Sequence, residues 1–393
     1  DSDTDIIAEE PDAIVTIEAA LGIGAGNSID SLISRLDASS TLTGDIEINE
    51  GTGIELLDVD TVDGAIFINA VGDIQAVDVS TGETEAVDDN ADNLNLTSST
   101  GSIFTSRLLS VDNISLTADI GSISDTAGGS TEALGDGTFV ALNSIEFANA
   151  TTNRISIGNV AAFAANQIRI GQDSNVAGDP TAQNVFFGSL SLVGGEAIVT
   201  EDDSMTLTGT SQVENILSLA SSDTIENSAG ATIVSEQGQV QLNAPNHVFL
   251  GNQANDEVRI GSLGTVTTDA HFELESGVRL NGDMPDQDPI AFGTAASFGT
   301  EVDQTLYVSS SAEIVQDSGD LHVRNLALNA QDHVHLSSVK DFNELMAVSA
   351  VSPAALTDST LIAQLNALGN VENGEVDATL PQSIAFLHQG SAN

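Results

Sequence analysis

Residues 184–209 read NVFFGSLSLVGGEAIVTEDDSMTLTG, and a similar pattern continues to about residue 281. Short alternations of apolar and polar residues, such as MTLT at 205–208 and VQLN at 240–243, are separated every few residues by Gly, Asn, Ser and Asp. Alternation with a period of two indicates half-buried strands, and the Gly, Asn and Asp positions indicate tight turns. Many short, evenly spaced strands with little helical pattern predict a chain wound into stacked coils.

A 20-residue repeat in the first half of the chain supports this prediction. GDIEIN at residues 44–49 returns as GAIFIN at residues 64–69, and GSIF at 101–104 returns as GSI at 121–123. This interval suits one coil of a parallel β-helix, with each Gly at a corner that needs a positive φ or a close approach of two backbones. We therefore predict an all-β fold, a parallel β-helix (β-solenoid), over residues 14–338.

The two ends of the chain depart from the repeat. Residues 1–13 (DSDTDIIAEEPDA) are acidic and weakly patterned, and we interpret them as a tail. From residue 339 apolar residues recur at three-to-four spacing in VKDFNELMAVSA and PAALTDSTLIAQLNALG, which predicts two short helices separated by Pro353. A last strand is expected over Ser383–Leu387. Residues 339–393 are therefore predicted to be a helical and strand cap, or a tail that docks on the next subunit and completes its open rung.

Several segments interrupt the repeat or fit it less clearly. Residues 82–93, 128–137 and 172–183 are predicted to be loops, because the first is strongly acidic and the third contains Pro180. Ser28–Leu36 could be a short helix or a pair of strands, and the ladder that follows favours strands.

Charge is the most extreme feature of the composition. Eight Lys and Arg against 59 Asp and Glu give a formal net charge of -51. Such a surface repels nucleic acid and anionic membranes, because phosphate binding needs Lys and Arg. Dissolved salt screens the repulsion between the negative charges of the protein. We therefore favour a saline or calcium-rich extracellular setting; the alternative is an ordinary acidic soluble protein.

Other composition data narrow the class of protein. Cysteine is absent, so the chain has neither disulfides nor thiolate metal sites. The sequence contains no run of 18 apolar residues, so it does not predict a membrane-spanning helix. Aromatic residues are only 4% of the chain, so a narrow interior of Val, Ile, Leu, Ala and scattered Phe is expected. The start at Asp1 is expected of a mature secreted chain or of a fragment of a longer one.

Catalytic motifs are not found. The seven arginines are scattered, Trp is absent, and no nucleophile elbow, phosphate-binding loop or zinc-protease motif occurs. Two histidines in DHVH (332–335), with His322, could hold a transition metal, but exposed bystanders are the simpler interpretation. We predict that the chain is not an enzyme.

Carboxylate clusters are the better candidates for metal binding. Calcium takes six to eight oxygen ligands, and several short spans carry three or more acidic residues. None matches an EF-hand or the glycine-rich calcium repeat, and each alone reads as a solvated turn. Together they predict some Ca²⁺ binding, with the candidate ligands Asp58, Asp60, Asp63, Asp283, Asp286 and Asp288.

The repeats also resemble those of a known group of proteins. The phrases LNLTSSTGSI (94–103), IRIG (168–171), IVTEDDSMTLTG (198–209) and VRIGSL (258–263) are similar to repeats of filamentous-haemagglutinin-like adhesins and of giant repeat surface proteins of planctomycete-type marine bacteria. The resemblance covers roughly residues 20–338. It implies a right-handed parallel β-helix, secretion to the cell surface, and an adhesive or structural role.

These observations predict an extracellular structural subunit of a surface fibre, assembled head-to-tail from copies of itself. One alternative is a monomeric adhesin stalk whose loops bind a cell-surface or matrix partner. A second alternative is a carbohydrate-active β-helix enzyme.

Overall fold

The computed structural model describes residues 4–8, 10, 12–82, 92–150, 152–171 and 184–244, together with the strands from His247 onward. Every element in these residues is a β-strand, and none of them forms a helix. Parallel strands stack into a β-solenoid of about nine turns. The chain divides into two compact units, Asp1–Gly194 with Ile198–Asp202, and Gly195–Ala197 with Asp203–Asn393.

The strands of the first unit, with β16 extending into the second, are β1 (Ile6–Ala8), β2 (Ile14–Ala19), β3 (Ile29–Ile33), β4 (Arg35–Ser40), β5 (Ile46–Glu50), β6 (Ile54–Thr61), β7 (Ile66–Ala70), β8 (Ile74–Thr81), β9 (Leu94–Ser98), β10 (Ile103–Ser110), β11 (Ile114–Ala118), β12 (Ile123–Ala133), β13 (Gly137–Ala141), β14 (Ser144–Phe147), β15 (Arg154–Ile170) and β16 (Val185–Glu201). Those of the second unit are β17 (Met205–Leu207), β18 (Thr210–Ser221), β19 (Thr224–Asn227), β20 (Thr232–Ala244), β21 (His247–Leu250), β22 (Glu257–Thr268), β23 (His271–Leu274), β24 (Val278–Leu280), β25 (Ala291–Phe292), β26 (Ala296–Phe298), β27 (Thr305–Ser310), β28 (Glu313–Val315), β29 (Leu321–Val323), β30 (Asn325–Ala330), β31 (Val334–Leu336), β32 (Val339–Lys340), β33 (Glu344–Ala350), β34 (Val371–Glu372), β35 (Glu375–Val376) and β36 (Ile384–Phe386).

In the first unit each strand from β1 to β11 pairs in parallel with the strand two positions further along the chain, so that odd and even strands form two separate stacks. Ile46 lies opposite Ile66 in the odd stack, and Ile103 lies opposite Ile123 in the even stack. Both offsets equal the 20-residue repeat. The predicted coil length is therefore confirmed. The segment Ser28–Leu36 contains the favoured pair of strands, β3 and the start of β4.

The interior of the first unit is a set of inward columns of aliphatic side chains. Strands β5, β9 and β11 alternate strictly between buried and half-buried residues, as alternating sequence predicts. One column runs through Ile48, Ile68, Leu96, Leu116 and Phe139, all at most 1% exposed. This confirms the narrow aliphatic interior.

A phenylalanine cluster replaces aliphatic packing in the later coils. The rings of Phe139 and Phe163 stack at 4.8 Å, and Phe147 meets Phe139 edge-on at 5.2 Å. In the neighbouring column the side chains become smaller in the same coils, because Ile114 is in register with Gly137, and Gly137 with Ala161. Large and small side chains compensate, so the column pair keeps its width.

The corner glycine Gly121 lies against the backbone of the preceding coil. A Cβ at Gly121 would lie 2.0 Å from the carbonyl oxygen of Gly101. Gly121→Ala is therefore expected to destabilise the fold by about 2–3 kcal/mol, because the two coils must separate. Gly26→Ala is the control, since Gly26 has a φ of +76° but no atom within 4 Å of its Cβ position, and should cost only about 1 kcal/mol. Equal urea midpoints for the two variants would contradict the close approach.

The second unit repeats the two-stack arrangement. β17, β19, β21, β23, β28, β31 and β36 pair in parallel in that order, and β18, β20 and β22 do the same. Two antiparallel pairs occur among the described strands, β24 with β25 and β34 with β35. A separate sheet contains β26, β29 and β32.

Within the predicted tail, Ile6–Ala8 is a strand that pairs with β3. Two sequence predictions need correction. The predicted helix over VKDFNELMAVSA is wrong at Glu344–Ala350, which is a strand paired with β30. The predicted loop 128–137 is wrong in part, since Ser130–Ala133 belongs to β12.

The remaining predictions are confirmed or untested. Ile384–Phe386 confirms the predicted last strand, and it pairs with β31. The second predicted helix, at residues 354–369, lies outside the described residues. The right-handed sense of the coil and the boundaries 1–13, 14–338 and 339–393 stay predictions.

Candidate functional site

The first described coil has an exposed edge. β1 pairs with β3 and β2 pairs with β4, each along one side, and no other described strand pairs with β1 or β2. The inward residues Val15 and Ile17 are only half-buried. Their partners in β4, Leu36 and Ala38, are fully buried. Backbone hydrogen-bonding groups and part of the aliphatic core therefore face outward together, which is the arrangement that accepts an added strand.

A groove lies beside this edge. Its volume is about 300 Å³, and its lining includes Thr4, Leu32 and Val71. Val71 is 47% exposed, so the groove adds apolar surface next to the polar backbone of β3. This part of the molecule combines a strand edge with a groove of mixed lining, in which Leu32 and Val71 lie beside polar residues such as Asp30 and Asn49.

The carboxylate of Glu50 fixes the floor of the groove. Glu50 is 2% exposed and occupies an inward position at the end of β5. One oxygen accepts hydrogen bonds from the Ser31 hydroxyl at 2.7 Å and the Ile33 N–H at 2.9 Å. The other accepts from the N–H of Thr52 at 2.9 Å and from its hydroxyl at 2.7 Å. Four donors stabilise the buried charge and bind β3 to the coil above it.

Many acidic side chains have a structural role that the sequence analysis missed. At the corners, carboxylates of one coil accept hydrogen bonds from backbone N–H groups of a neighbouring coil. Asp45 accepts from the Ala65 N–H at 2.9 Å, and Asp73 accepts from the Ser102 N–H at 2.7 Å. Similar bonds are made by Asp92, Asp112, Asp136 and Asp202. The dipeptide Gly-Asp, present at 44–45, 72–73 and 135–136, is the sequence signal that could have revealed three of these six caps.

The predicted calcium ligands are only partly described. Asp58 is exposed and lies opposite Asp37, while Asp60 accepts a hydrogen bond from the Ser39 hydroxyl at 3.0 Å. Asp63 is half-buried at the corner that follows β6. Asp283, Asp286 and Asp288 lie outside the described residues. Within the described part, no three His, Cys, Asp or Glu side chains are grouped so that they could hold a metal ion. Calcium binding stays a prediction.

The histidines and arginines do not converge in the described strands. His322 is in β29 and His335 is in β31, which belong to different sheets, and His333 lies outside the described residues. Arg35 pairs with Glu55 at 2.7 Å, and Arg154 lies 3.7 Å from Glu132. Arg107 pairs with Asp78. These ion pairs link residues of neighbouring coils.

A second polar feature surrounds Asp125 at one corner of the first unit. Its carboxylate accepts a hydrogen bond from the Ala148 N–H at 2.8 Å. Burial raises the pKa of Asp125 to about 6, and the nearby Glu146 also raises it, while hydrogen bonds from Ala148 and Asn153 act in the opposite direction. Ala148 has a φ of +52° and is the one described residue other than glycine with a positive φ. Backbone strain and a perturbed carboxyl occur together here, as they often do at functional sites.

Comparison with known proteins gives no relative. No family model, no curated protein and no solved structure matches the chain. The resemblance to filamentous-haemagglutinin-like and giant repeat surface proteins therefore stays a prediction. In the described part of the chain there is no helix long and apolar enough to cross a membrane.

Proposed function

We propose that this chain is a structural subunit of an extracellular fibre, in which solenoid units join head-to-tail by strand addition. The observation that carries the proposal is the exposed edge of β1 and β2, where Val15 and Ile17 are half-buried although their partners in β4 are buried. A second copy that supplies the next parallel strands would bury these side chains and pair the exposed backbone. The stacked interior suits such a role, because each coil rests on the next.

The opposite surface of the joint is expected in the second unit. There β36 pairs with β31 and β33 pairs with β30, and no further described strand pairs with β33 or β36. Joining this edge of one copy to the β1 and β2 edge of the next uses two different surfaces. A contact of that kind does not close on itself and generates filaments. The predicted docking tail, residues 339–393, contains both strands.

The net charge makes assembly depend on salt. Copies that each carry a formal charge of -51 repel one another at low ionic strength. The Debye length falls from roughly 30 Å at 0.01 M to about 3 Å at 1 M salt, so the short-range strand contacts prevail only in the salty solution. This salt dependence supports a proposed location outside the cell.

Ile17→Lys is expected to abolish assembly, because it places a charge on the half-buried inner face of the β2 edge. Sedimentation velocity and electron microscopy at 0.01, 0.15 and 0.5 M NaCl should show filaments of the unaltered chain at high salt and only single subunits of the variant. Leu134→Lys is the matched control, because Leu134 is 71% exposed and lies at a distant corner. This variant should assemble like the unaltered chain.

Two results would overturn the fibre proposal. One is an unaltered chain that stays a single subunit at every salt concentration, which would favour the adhesin-stalk alternative. The other is equal assembly of the Ile17→Lys and Leu134→Lys variants, which would place the joint elsewhere. Circular dichroism of each variant establishes that the strands are retained.

A further inference from the structure

The outer surface of the odd stack carries no charge from β7 to β15. Outward positions alternate with buried ones in β7, β9, β11 and β13, and in the part of β15 that pairs with β13. The polar side chains at these positions are Asn69, Asn95, Thr97, Ser115, Thr117 and Thr138. The remaining ones are apolar and include Phe67 and Val140. We call this surface the neutral face.

The even stack of the same coils is charged. The outward positions of β8, β10 and β12 include Asp78, Arg107 and Glu132. Toward the first coil the neutral face ends at Glu47, which is in register with Phe67. The chain has 59 Asp and Glu, yet none of them occupies the neutral face. Charge complementarity therefore favours an uncharged ligand on this surface.

The neutral face has polar groups that are not used within the protein. Four of its side chains make no hydrogen bond within the described residues: Asn95, Thr97, Ser115 and Thr117. Each lies opposite another of the four on the adjacent strand. Elsewhere hydroxyls of adjacent coils do bond to each other, as the Ser144 hydroxyl does to that of Ser122 at 3.0 Å. Donors and acceptors of the neutral face are thus available to a ligand.

Phe67 adds an aromatic surface at one end of the neutral face. Its ring is 36% exposed, with Asn95 opposite it on β9 and Asn69 two residues further along β7. A sugar has hydroxyl groups at the rim of its ring and C–H groups on its faces. An aromatic ring beside uncharged donors and acceptors is suited to both parts. Since the strands recur at about 4.8 Å, a polymer of repeated sugar units fits better than one small molecule.

The neutral face of a second copy is the competing occupant. Acidic caps at the adjoining corners, such as Asp112 and Asp136, flank the neutral face. Two such faces in contact would bring these corners together, in copies that each carry a formal charge of -51. An uncharged polymer meets no such repulsion, so the observations favour it.

We propose that the neutral face binds an uncharged polysaccharide, with one sugar ring on Phe67 and further hydroxyl groups bonded to the four available polar side chains. The polymer would lie along the coils, across successive strands of the odd stack. This surface is on the side of the solenoid, so binding does not depend on fibre assembly.

Native gel electrophoresis of the full chain tests the proposal. Gels that contain dextran, galactomannan, soluble starch or hydroxyethyl cellulose should include at least one that retards the protein. Alginate, which is anionic, should not retard it, because the acidic corners repel it. Failure of all four neutral polymers to retard the protein, or equal retardation by alginate, would overturn the proposal.

The salt dependence of binding separates this surface from the charged ones. Calorimetric titration with the retarding polymer is done with the Ile17→Lys variant, which is expected not to assemble. The dissociation constant should change less than about twofold between 0.05 and 0.5 M NaCl, because no charged group is in contact with the ligand. A change of about tenfold or more would assign the binding to charged surfaces and overturn the proposal.

Two serine variants in one coil locate the site. Ser115 is on the neutral face, whereas Ser124, also half-buried, is on β12 opposite Glu146. Ser115→Lys should weaken binding by about tenfold or more, because a long charged side chain enters the uncharged surface. Ser124→Lys should bind like the unaltered chain. Equal affinities of these two variants would overturn the proposal.

Two smaller changes test the individual contacts. Thr117→Val keeps the shape of the side chain and should weaken binding by about threefold to tenfold, the value of one hydrogen bond. Phe67→Ala should weaken it by about fivefold through loss of the ring contact. Circular dichroism establishes that the strands are retained. Unchanged affinity of both variants would overturn the proposal.

Sedimentation velocity tests the competing occupant. In the Ile17→Lys background without polysaccharide, the chain should remain a single subunit whether or not Ser115→Lys is added. Dimers that are lost with Ser115→Lys and retained with Ser124→Lys would assign the neutral face to a second copy and overturn the proposal.

Discussion

Phe139→Ala is expected to lower the free energy of unfolding of the first unit by about 3–5 kcal/mol, the range for loss of a buried phenyl ring. Phe139 is 0% exposed, stacks on Phe163 at 4.8 Å and meets Phe147 at 5.2 Å. Its ring also covers Gly137, where a Cβ would lie 2.7 Å from the Phe139 Cε2 atom. Truncation would leave a cavity bordered by Gly137, which has no side chain to fill it.

Phe104→Ala is the control for the loss of a ring without a cavity. Phe104 is 38% exposed on the outer face of β10, so its truncation should cost less than about 1 kcal/mol. Phe139→Leu places in this column the same side chain as its neighbour Leu116, and should lower the free energy of unfolding by about 1–1.5 kcal/mol. Guanidinium unfolding curves give the free energy of unfolding of all three variants. A Phe139→Ala midpoint equal to that of Phe104→Ala would show that the phenylalanine cluster is not a stabilising core.

Glu50→Ala is expected to cost about 3–5 kcal/mol, an effect much larger than that of a surface acidic residue. Its carboxylate accepts four hydrogen bonds at 2.7–2.9 Å, two of them from the backbone N–H groups of Ile33 and Thr52. Each buried donor that loses its acceptor costs about 1–3 kcal/mol. The change would also loosen β3, on which the exposed β1 edge rests.

Glu55→Ala is the matched control, because Glu55 makes a half-exposed ion pair with Arg35 at 2.7 Å and should contribute less than about 1 kcal/mol. Glu50→Gln retains the shape but replaces one acceptor oxygen by a donor, and an intermediate loss is expected. The unfolding temperatures of the variants at neutral pH rank their stabilities. If Glu50→Ala and Glu55→Ala unfold at the same temperature, the four hydrogen bonds do not stabilise the fold.

The repeat predicted the fold well because a solenoid is specified locally. Gly44 and Gly64 mark successive corners, and the residues between them alternate with a period of two, which suffices to define strands and coil length. The same reasoning failed at Glu344–Ala350. There the apolar spacing of a short segment fitted a helix, but pairing with β30 makes it a strand. Short apolar segments do not distinguish the two structures, and the neighbouring strand decides.

The candidate sites were harder to predict, because side chains that meet in a solenoid lie about one coil apart in the sequence. Asp58, Asp60 and Asp63 suggested a local cluster, yet the described partner of Asp60 is Ser39 on the adjacent coil. The neutral face depends on the register of β7 with β9 and of β9 with β11, which no nearby motif reveals. The half-buried edge of β2 likewise depends on the absence of a further described neighbour, not on the composition of the strand.

The equivalence of successive corners also bears on how such a chain can change in length. Gly44 and Gly64 occupy equivalent positions, and Asp45 caps the Ala65 N–H in the next coil. Loss or duplication of one whole repeat would therefore join equivalent corners and preserve both the inward columns and the caps. A deletion of a few residues would shift every later side chain out of its column. Evolution of this protein, and its redesign, should therefore proceed by whole coils, with smaller insertions confined to corners such as the one after Asp125.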